Sequence, residues 1–481
     1  MATKEENKET INRRKAIDQS ARFPVLFFIA SASAWLLFAV TLGFIQQMKM
    51  HAPQFIDFSW LYFLNYGRSN PAFMTALVYG WAIQAGLGIG IWVMARLCSA
   101  EIKNPLTLLV AGHFWNIGVS IGVFGILFGY GTSIEWLAFP KAVWPILFAA
   151  FSMIVIWLVT MFFRRQDKNV YISIWYILGA CFWFSWIFVT ANLVIHVFPG
   201  SALAKASTSA WYSSSMIYLF LVPIGLGVAY YLIPKIMGRP VHSFQLSYYG
   251  FWGLAILGGW TGIQKFMGGP FPSWMPAVSG AAVILMLIPV LIVTVNQLMT
   301  LKEDPSILNY SPALKFTAAG IGFFIIFCIL SALGSFLSIG KFTQISFTSI
   351  GYHLLAVYGF FSMIMFGAIY FIVPRLMGTE WPSLGGIQKH FILSVYAILI
   401  LTVLHFFGGI WQSSAYSKFD APLENAISAA KPYAIGASLA WIILWISVAR
   451  FTLNLFVLVF RTGHREIYPT LVAAARISSN K

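Results

Sequence analysis

The amino-acid sequence predicts an all-α integral membrane protein, a bundle of twelve transmembrane helices. Three observations carry this. Hydrophobic residues make up 59% of the chain and charged residues only 9%, where soluble globular domains carry about 25% charged residues. Mean hydropathy is +0.80. The apolar residues are gathered into runs of about twenty or more, the length that crosses a bilayer, and short polar hinges separate the runs.

In chain order, residues 1–21 ("MATKEENKETINRRKAIDQSA") form a polar N-terminal tail. The first apolar run, Pro24 to Ile45, has no small-residue cleavage site after it and reads as a helix rather than a removed signal. The spans are predicted at 22–46, 71–97, 105–129, 142–164, 171–198 and 211–234, then at 244–266, 277–301, 312–338, 349–376, 388–411 and 430–460. Hinges such as "FFRRQDKN" (162–169), "PKIMGRPVHS" (234–243) and "LKEDPSILNYSP" (301–312) divide them. One membrane domain, 22–460, is therefore expected, followed by a polar tail at 461–481.

The net charge of +16 reads as membrane topology, not as nucleic-acid binding. The two tails and the even-numbered loops hold 21 of the 30 Lys and Arg, and the odd-numbered loops hold 8. That bias places both termini in the cytoplasm. All 14 acidic residues fall in predicted tails or loops. A proton- or cation-driven transporter usually needs intramembrane carboxylates, so this pattern counts against one. Cys98, Cys181 and Cys328 are widely spaced and form neither a disulfide nor a metal pattern.

Several stretches keep a recognisable order: "RRKAIDQSARFP" before the first span, "YGRSNPAFMTALVYGW" (66–81), "WNIGVSIGVFGILFGYGTSIEWLAFP" (115–140), "YYLIPKIMGRPVHSFQLSYYGFW" (230–252) and "MIMFGAIYFIVPRL" (363–376). In these the chain resembles the catalytic subunit of cbb3-type cytochrome c oxidases, subunit I of the haem–copper oxidase superfamily. The resemblance implies a twelve-helix oxidase fold in a bacterial inner membrane. It also implies partners: other membrane subunits of a respiratory complex and cytochrome c-type subunits.

The resemblance further implies six histidines, two on a low-spin haem, one on a high-spin haem and three on copper. In register, the low-spin position of the second span holds Phe73, and the copper position of the sixth holds Ser214. The adjacent copper pair of the seventh span falls on Gln264 and Lys265, and the family's tyrosine on Gly258. In "GYHLLA" of the tenth span the two haem positions hold Tyr352 and Leu354, while His353 stands one residue out of register, about 100° round the helix. All six ligands are thus substituted in this register. Hydroxyl, amide, phenyl and alkyl groups replace imidazole poorly on iron or copper.

Lys265 has two readings. Its ammonium, with Gln264, fills the copper position as a fixed charge, or it snorkels from a helix end toward water. Of the eight histidines, His51, His242, His390 and His464 fall in predicted loops, tails or helix edges and read as solvated. His113 reads as hydrogen-bonded in the bundle. His196, His353 and His405 share the outer third of their spans, and His353 with His405 is the favoured pair for a new b-type haem site. The leading expectation is a non-catalytic subunit or scaffold of a respiratory electron-transfer complex, without haem or copper of its own. The alternatives are a working terminal oxidase that reduces oxygen with electrons from cytochrome c, and a channel or transport protein using the vacated cofactor cavity.

Overall fold

The computed structural model describes residues 2–460 apart from Ser133, Lys168, Ile345 and residues 418–421, so the predicted tail at 461–481 lies outside the described residues. The described residues form helices and no strand. The first six membrane helices are α1 (Ala2–His51), α2 (Tyr66–Leu97), α3 (Pro105–Leu127), α4 (Val143–Phe163), α5 (Ile172–Val197) and α6 (Ala202–Met237). They are followed by α7 (Phe244–Gly258), α8 (Trp274–Lys302), α9 (Pro312–Gly334), α10 (Thr348–Met377), α11 (Leu384–Tyr416) and α12 (Leu423–Phe460).

Eleven of these are long and apolar enough to cross a membrane, and α7, with 15 residues, is not. At 1.5 Å per residue it rises only about 22 Å, against a hydrocarbon layer of about 30 Å. The helix α1 is the opposite case. Its 50 residues reach about 75 Å, so the polar N-terminal stretch continues the first span as helix beyond the apolar layer.

The bundle is built in two shells. The most apolar 18-residue windows of α2, α6 and α10 are 100% buried, while those of the other helices are 33–56% buried. The inner three touch one another, and the outer helices pack round them in chain-adjacent pairs, with α1 against α12 closing the ring. Small residues permit the close approach inside a membrane, where helices gain from packing rather than from the hydrophobic effect. A Cβ at Gly86 of α2 would stand 3.0 Å from Ile224 of α6 and 3.2 Å from Phe361 of α10. One glycine thus sits where the three inner helices meet. Indole and hydroxyl groups cross-link the same trio: Trp81 Nε1 donates to Ser362 Oγ at 2.7 Å, and the hydroxyls of Tyr79 and Tyr212 are 2.6 Å apart.

The seventh span differs from the sequence prediction of 244–266, because the helix stops at Gly258. Its terminal carbonyls find other donors. Thr261 Oγ1 donates to Gly258 O at 2.9 Å, and Trp211 Nε1 to Gly259 O at 2.8 Å, so the orphan acceptors of a helix end are satisfied. Gly262 then takes φ +112°, a backbone state that L side chains rarely adopt. The chain turns back through a short 3-10 segment, Ile263–Phe266. Hydropathy alone did not show this break, since the residues beyond it are still apolar enough for a span.

A Cβ at Gly262 would strike the Ala210 carbonyl and the Trp211 backbone, whereas Gly268, with φ +84°, faces open space. Gly262→Ala is expected to lose more stability than the about 1–3 kcal/mol of backbone strain alone, and Gly268→Ala to lose only the strain. Thermal unfolding of the two variants in detergent checks this. Equal shifts in Tm would mean that the turn is not tightly packed.

Candidate functional site

Between α3 and α4 the chain folds over one end of the bundle. Thr132 closes this loop, its N–H donating to Ala138 O and its hydroxyl to Leu137 O, both at 2.7 Å. Trp136 is held at φ +63°, where a non-glycine residue costs about 1–2 kcal/mol. The Tyr79 hydroxyl of α2 donates to the Trp136 carbonyl at 3.0 Å and is itself bonded to Tyr212 of α6. The loop is therefore tied to two inner helices, and this carries the neighbouring Glu135 to the bundle.

Glu135 meets Lys265 and His353 there. Lys265 Nζ lies 3.3 Å from Glu135 Oε2 and donates to Ser213 Oγ at 3.3 Å. His353 Nε2 is 3.3 Å from Glu135 Oε1, and the His353 ring stands edge-on to Trp136 at 5.3 Å. These groups line a cavity of about 280 Å³ together with Ser213, Ser214, Gln264, Gln344 and Tyr352. Burial would push the Glu135 carboxyl up, but Lys265 and His353, with hydrogen bonds from Lys265 and Ser213, hold it below the usual carboxylate range.

Ser214, Gln264 and Tyr352 each already have a protein partner. Ser214 Oγ donates to Thr261 Oγ1 at 2.8 Å. Gln264 Oε1 accepts from the Gly262 N–H at 2.6 Å and from Ser279 Oγ at 2.7 Å, and its carbonyl accepts from Gln344 Nε2 at 3.0 Å. The Tyr352 hydroxyl donates to Leu330 O at 2.7 Å. The turn after α7, the middle of α6, the chain before α10 and α10 itself are thereby stitched round the chamber.

Ser214, Gln264, Lys265 and Tyr352 line one chamber. Leu354 is buried in α10. Phe73 lines a neighbouring cavity of about 540 Å³ that shares Glu135, Ser349 and His353 with the chamber, and it stands edge-on to Trp441 of α12 at 5.4 Å; Trp441 in turn covers Gly43 so closely that a Cβ there would be 2.5 Å from its ring. At Gly258, Leu219 occupies the volume that a side chain would need, 2.6 Å from an added Cβ. Lys265 is not on a helix, and its side chain is only 32% exposed. The turn after α7 directs it to a carboxylate rather than freely to water.

His353 and His405 turn to different partners. His405 Nδ1 donates to Leu401 O at 2.7 Å, and its Nε2 is 3.2 Å from the Gln47 side chain. His390, read from sequence as solvated, is instead fully buried, 2.8 Å from the Tyr370 hydroxyl and stacked on Phe451 at 5.1 Å. The reason is that α11 starts at Leu384, so the second turn is already inside the bundle. His113 is bonded to Leu109 O at 2.7 Å, within its own helix. Sequence reasoning missed Glu135. Its one signal was a lone acid set in the apolar stretch "IEWLAFP", and the contact with Lys265 spans 130 residues.

The chamber's donors do not fit a haem–copper centre. Copper and iron at such sites take several imidazoles, while the chamber offers one, His353, already paired with Glu135, beside engaged hydroxyls, carboxamides and a phenol and an ammonium that repels a metal cation. Among the described residues, no three of His, Cys, Asp and Glu are gathered as a metal site requires.

Fold and chamber together define a multi-pass helical membrane protein whose inner helices present side chains to a polar cavity at one end. The sequence profile of the family "Cytochrome C and Quinol oxidase polypeptide I" matches residues 23–443, and the chain belongs to that family. It is similar to the cytochrome c oxidase subunit 1 homolog of Agrobacterium tumefaciens (strain T37), with 23% identity over 414 residues, 82% of this chain and 75% of the relative. It is also similar to the cbb3-type cytochrome c oxidase subunit CcoN1 of Stutzerimonas stutzeri, with 23% identity over 398 residues, 80% of this chain and 82% of the relative. A solved haem–copper terminal oxidase dimer shares the fold, with a TM-score of 0.72 at 14% identity over 93% of this chain and 86% of that one.

The Glu135 shift sets a pH dependence. A carboxyl held low in the folded state stabilises above its ordinary range, and that contribution is lost as pH falls through the lowered value. Lys265→Met is expected to cost about 1 kcal/mol or less, since the Glu135 side chain is 40% exposed. The gap between wild type and variant should hold above the ordinary carboxylate range and close as pH falls through the lowered value. Denaturation of both proteins across that range checks it, and a gap independent of pH would remove Glu135 as the partner.

Proposed function

We propose that this chain is a haem- and copper-free subunit of a respiratory electron-transfer complex, retaining the oxidase fold as a scaffold for partners. One observation carries the reading: Lys265, at a position where the family resemblance expects a copper ligand, is ion-paired to Glu135 and bonded to Ser213. A cation so held balances the carboxylate and opposes a second positive charge beside it. At the low-spin haem position the same reading is supported by Phe73 itself, a phenyl ring packed on Trp441, since phenyl offers iron no lone pair where imidazole would.

Partners follow from the family. Relatives named as oxidase subunits, including a cbb3-type one, support a place in a multi-subunit membrane complex beside cytochrome c-type subunits. The proposed setting is a bacterial inner membrane with both termini cytoplasmic, on the Lys and Arg bias of the loops. A second reading, passage of a small solute, is favoured by one feature: a further cavity of about 540 Å³ shares Glu135, Ser349 and His353 with the first. Its test is solute flux into vesicles carrying the pure protein, compared with the Glu135→Gln variant.

The purified chain is expected to show no reduced-minus-oxidised haem signal and no stoichiometric iron or copper. Pull-down from its native membrane is expected to bring cytochrome-bearing subunits with it. A b-type haem spectrum lost in His353→Ala or His405→Ala would overturn the cofactor-free reading. Recovery without any redox subunit would overturn the scaffold reading.

A further inference from the structure

At the end of the bundle away from the Glu135 chamber lies a cavity of about 650 Å³ with a different chemistry. Among the described residues its wall carries Arg13, Arg14, Arg96, Lys235 and Arg239 against one carboxylate, Glu9. Two of these cations are neutralised locally. Arg96 is 3.4 Å from Asp18, whose other oxygen accepts from Trp92 Nε1 at 3.0 Å, and Arg239 is ion-paired with Glu303. Arg13 donates to the Ser99 carbonyl at 3.0 Å, which positions the guanidinium without cancelling its charge. Among the described residues, Arg13, Arg14 and Lys235 thus face one space with Glu9 alone to offset them.

Membrane topology explains why this end is basic. It does not explain why, among the described residues, three cations surround one concavity with one carboxylate between them. They come from separate elements, Arg13 and Arg14 on α1 and Lys235 in the last turn of α6, and like charges brought together repel unless an anion joins them. The cavity is bounded by buried Ile17 and by Leu97 as well as by cations, so it offers apolar wall and positive charge side by side. Basic pockets between transmembrane helices bind phosphate-bearing head groups by this combination, and Arg forks suit phosphate oxygens.

We propose that this cavity is a binding site for a phosphate group, held by Arg13, Arg14 and Lys235. The phosphate comes either from an anionic phospholipid seated between α1 and α6 or from a free phosphate compound. The site is independent of the haem and copper question, because none of its residues lines the Glu135 chamber.

The test uses the full chain in phosphatidylcholine nanodiscs. Retention of added phosphatidylglycerol or cardiolipin is measured by native mass spectrometry, and stabilisation by inorganic phosphate by thermal unfolding. The expected result is binding of one of these probes in preference to phosphatidylcholine. Affinity should fall about fivefold for each cation removed in Arg14→Gln and Lys235→Gln, weaken at high salt, and persist in Lys235→Arg. Lipid retention without a phosphate effect assigns the site to a head group, and a phosphate effect assigns it to a free ligand. Affinity unchanged in the double variant, or phosphatidylcholine retained equally well, overturns the proposal. Both exposed variants are checked for wild-type Tm in phosphatidylcholine. If the double variant does not fold, the single Lys235→Gln variant gives the same reading.

Discussion

The arrangement of the chamber end depends on one ion pair, Lys265 with Glu135, and on the turn that makes it reachable. The pair joins residues 130 positions apart and forms only because α7 stops at Gly258 and Gly262 reverses the chain. Had the helix continued to the end of its apolar run, Lys265 would stand on it. On the other side, Glu135 is in reach because the Tyr79 hydroxyl holds the strained Trp136 backbone. Two local distortions therefore converge on one contact, and each is compensated by hydrogen bonds from the inner helices.

That contact also sets what the chamber can do. A metal centre needs neutral imidazoles with free lone pairs pointing at one point. Here Ser214, Gln264 and Tyr352 are engaged with neighbours at 2.6–2.8 Å, and the strongest local charge is an ammonium. Such a chamber suits hydrogen bonding and helix clamping. In the proposed scaffold, side-chain bonds tie the turn after α7 to α6, to α8 and to the chain before α10, and tie α10 to α9, in place of metal coordination. The interior keeps the oxidase fold because the inner trio packs through positions such as Gly86 that lie outside the chamber.

The two ends of the bundle differ in how they treat charge. At the chamber end Lys265 and Glu135 neutralise one another within contact distance, with His353 beside the carboxylate. At the other end Asp18 and Glu303 neutralise Arg96 and Arg239, and further cations are left facing an open cavity. The first pattern satisfies itself inside the protein. The second calls for an anion from outside, which at the edge of a bilayer means a phosphate more readily than any other group.

The sequence by itself determined the membrane class, the order of the spans and the family. Those follow from composition, from runs of apolar residues and from motifs, all of which are local along the chain. Only the tertiary structure decided that α7 ends early, that His390 is buried, that Ser214, Gln264, Lys265 and Tyr352 line one chamber, that His353 and His405 turn to different partners, and that Glu135 is the partner of Lys265. Each of these rests on a contact between distant segments or on a backbone angle at a single glycine. Hydropathy averages such features away, because a turn of apolar residues and a helix of apolar residues have the same mean.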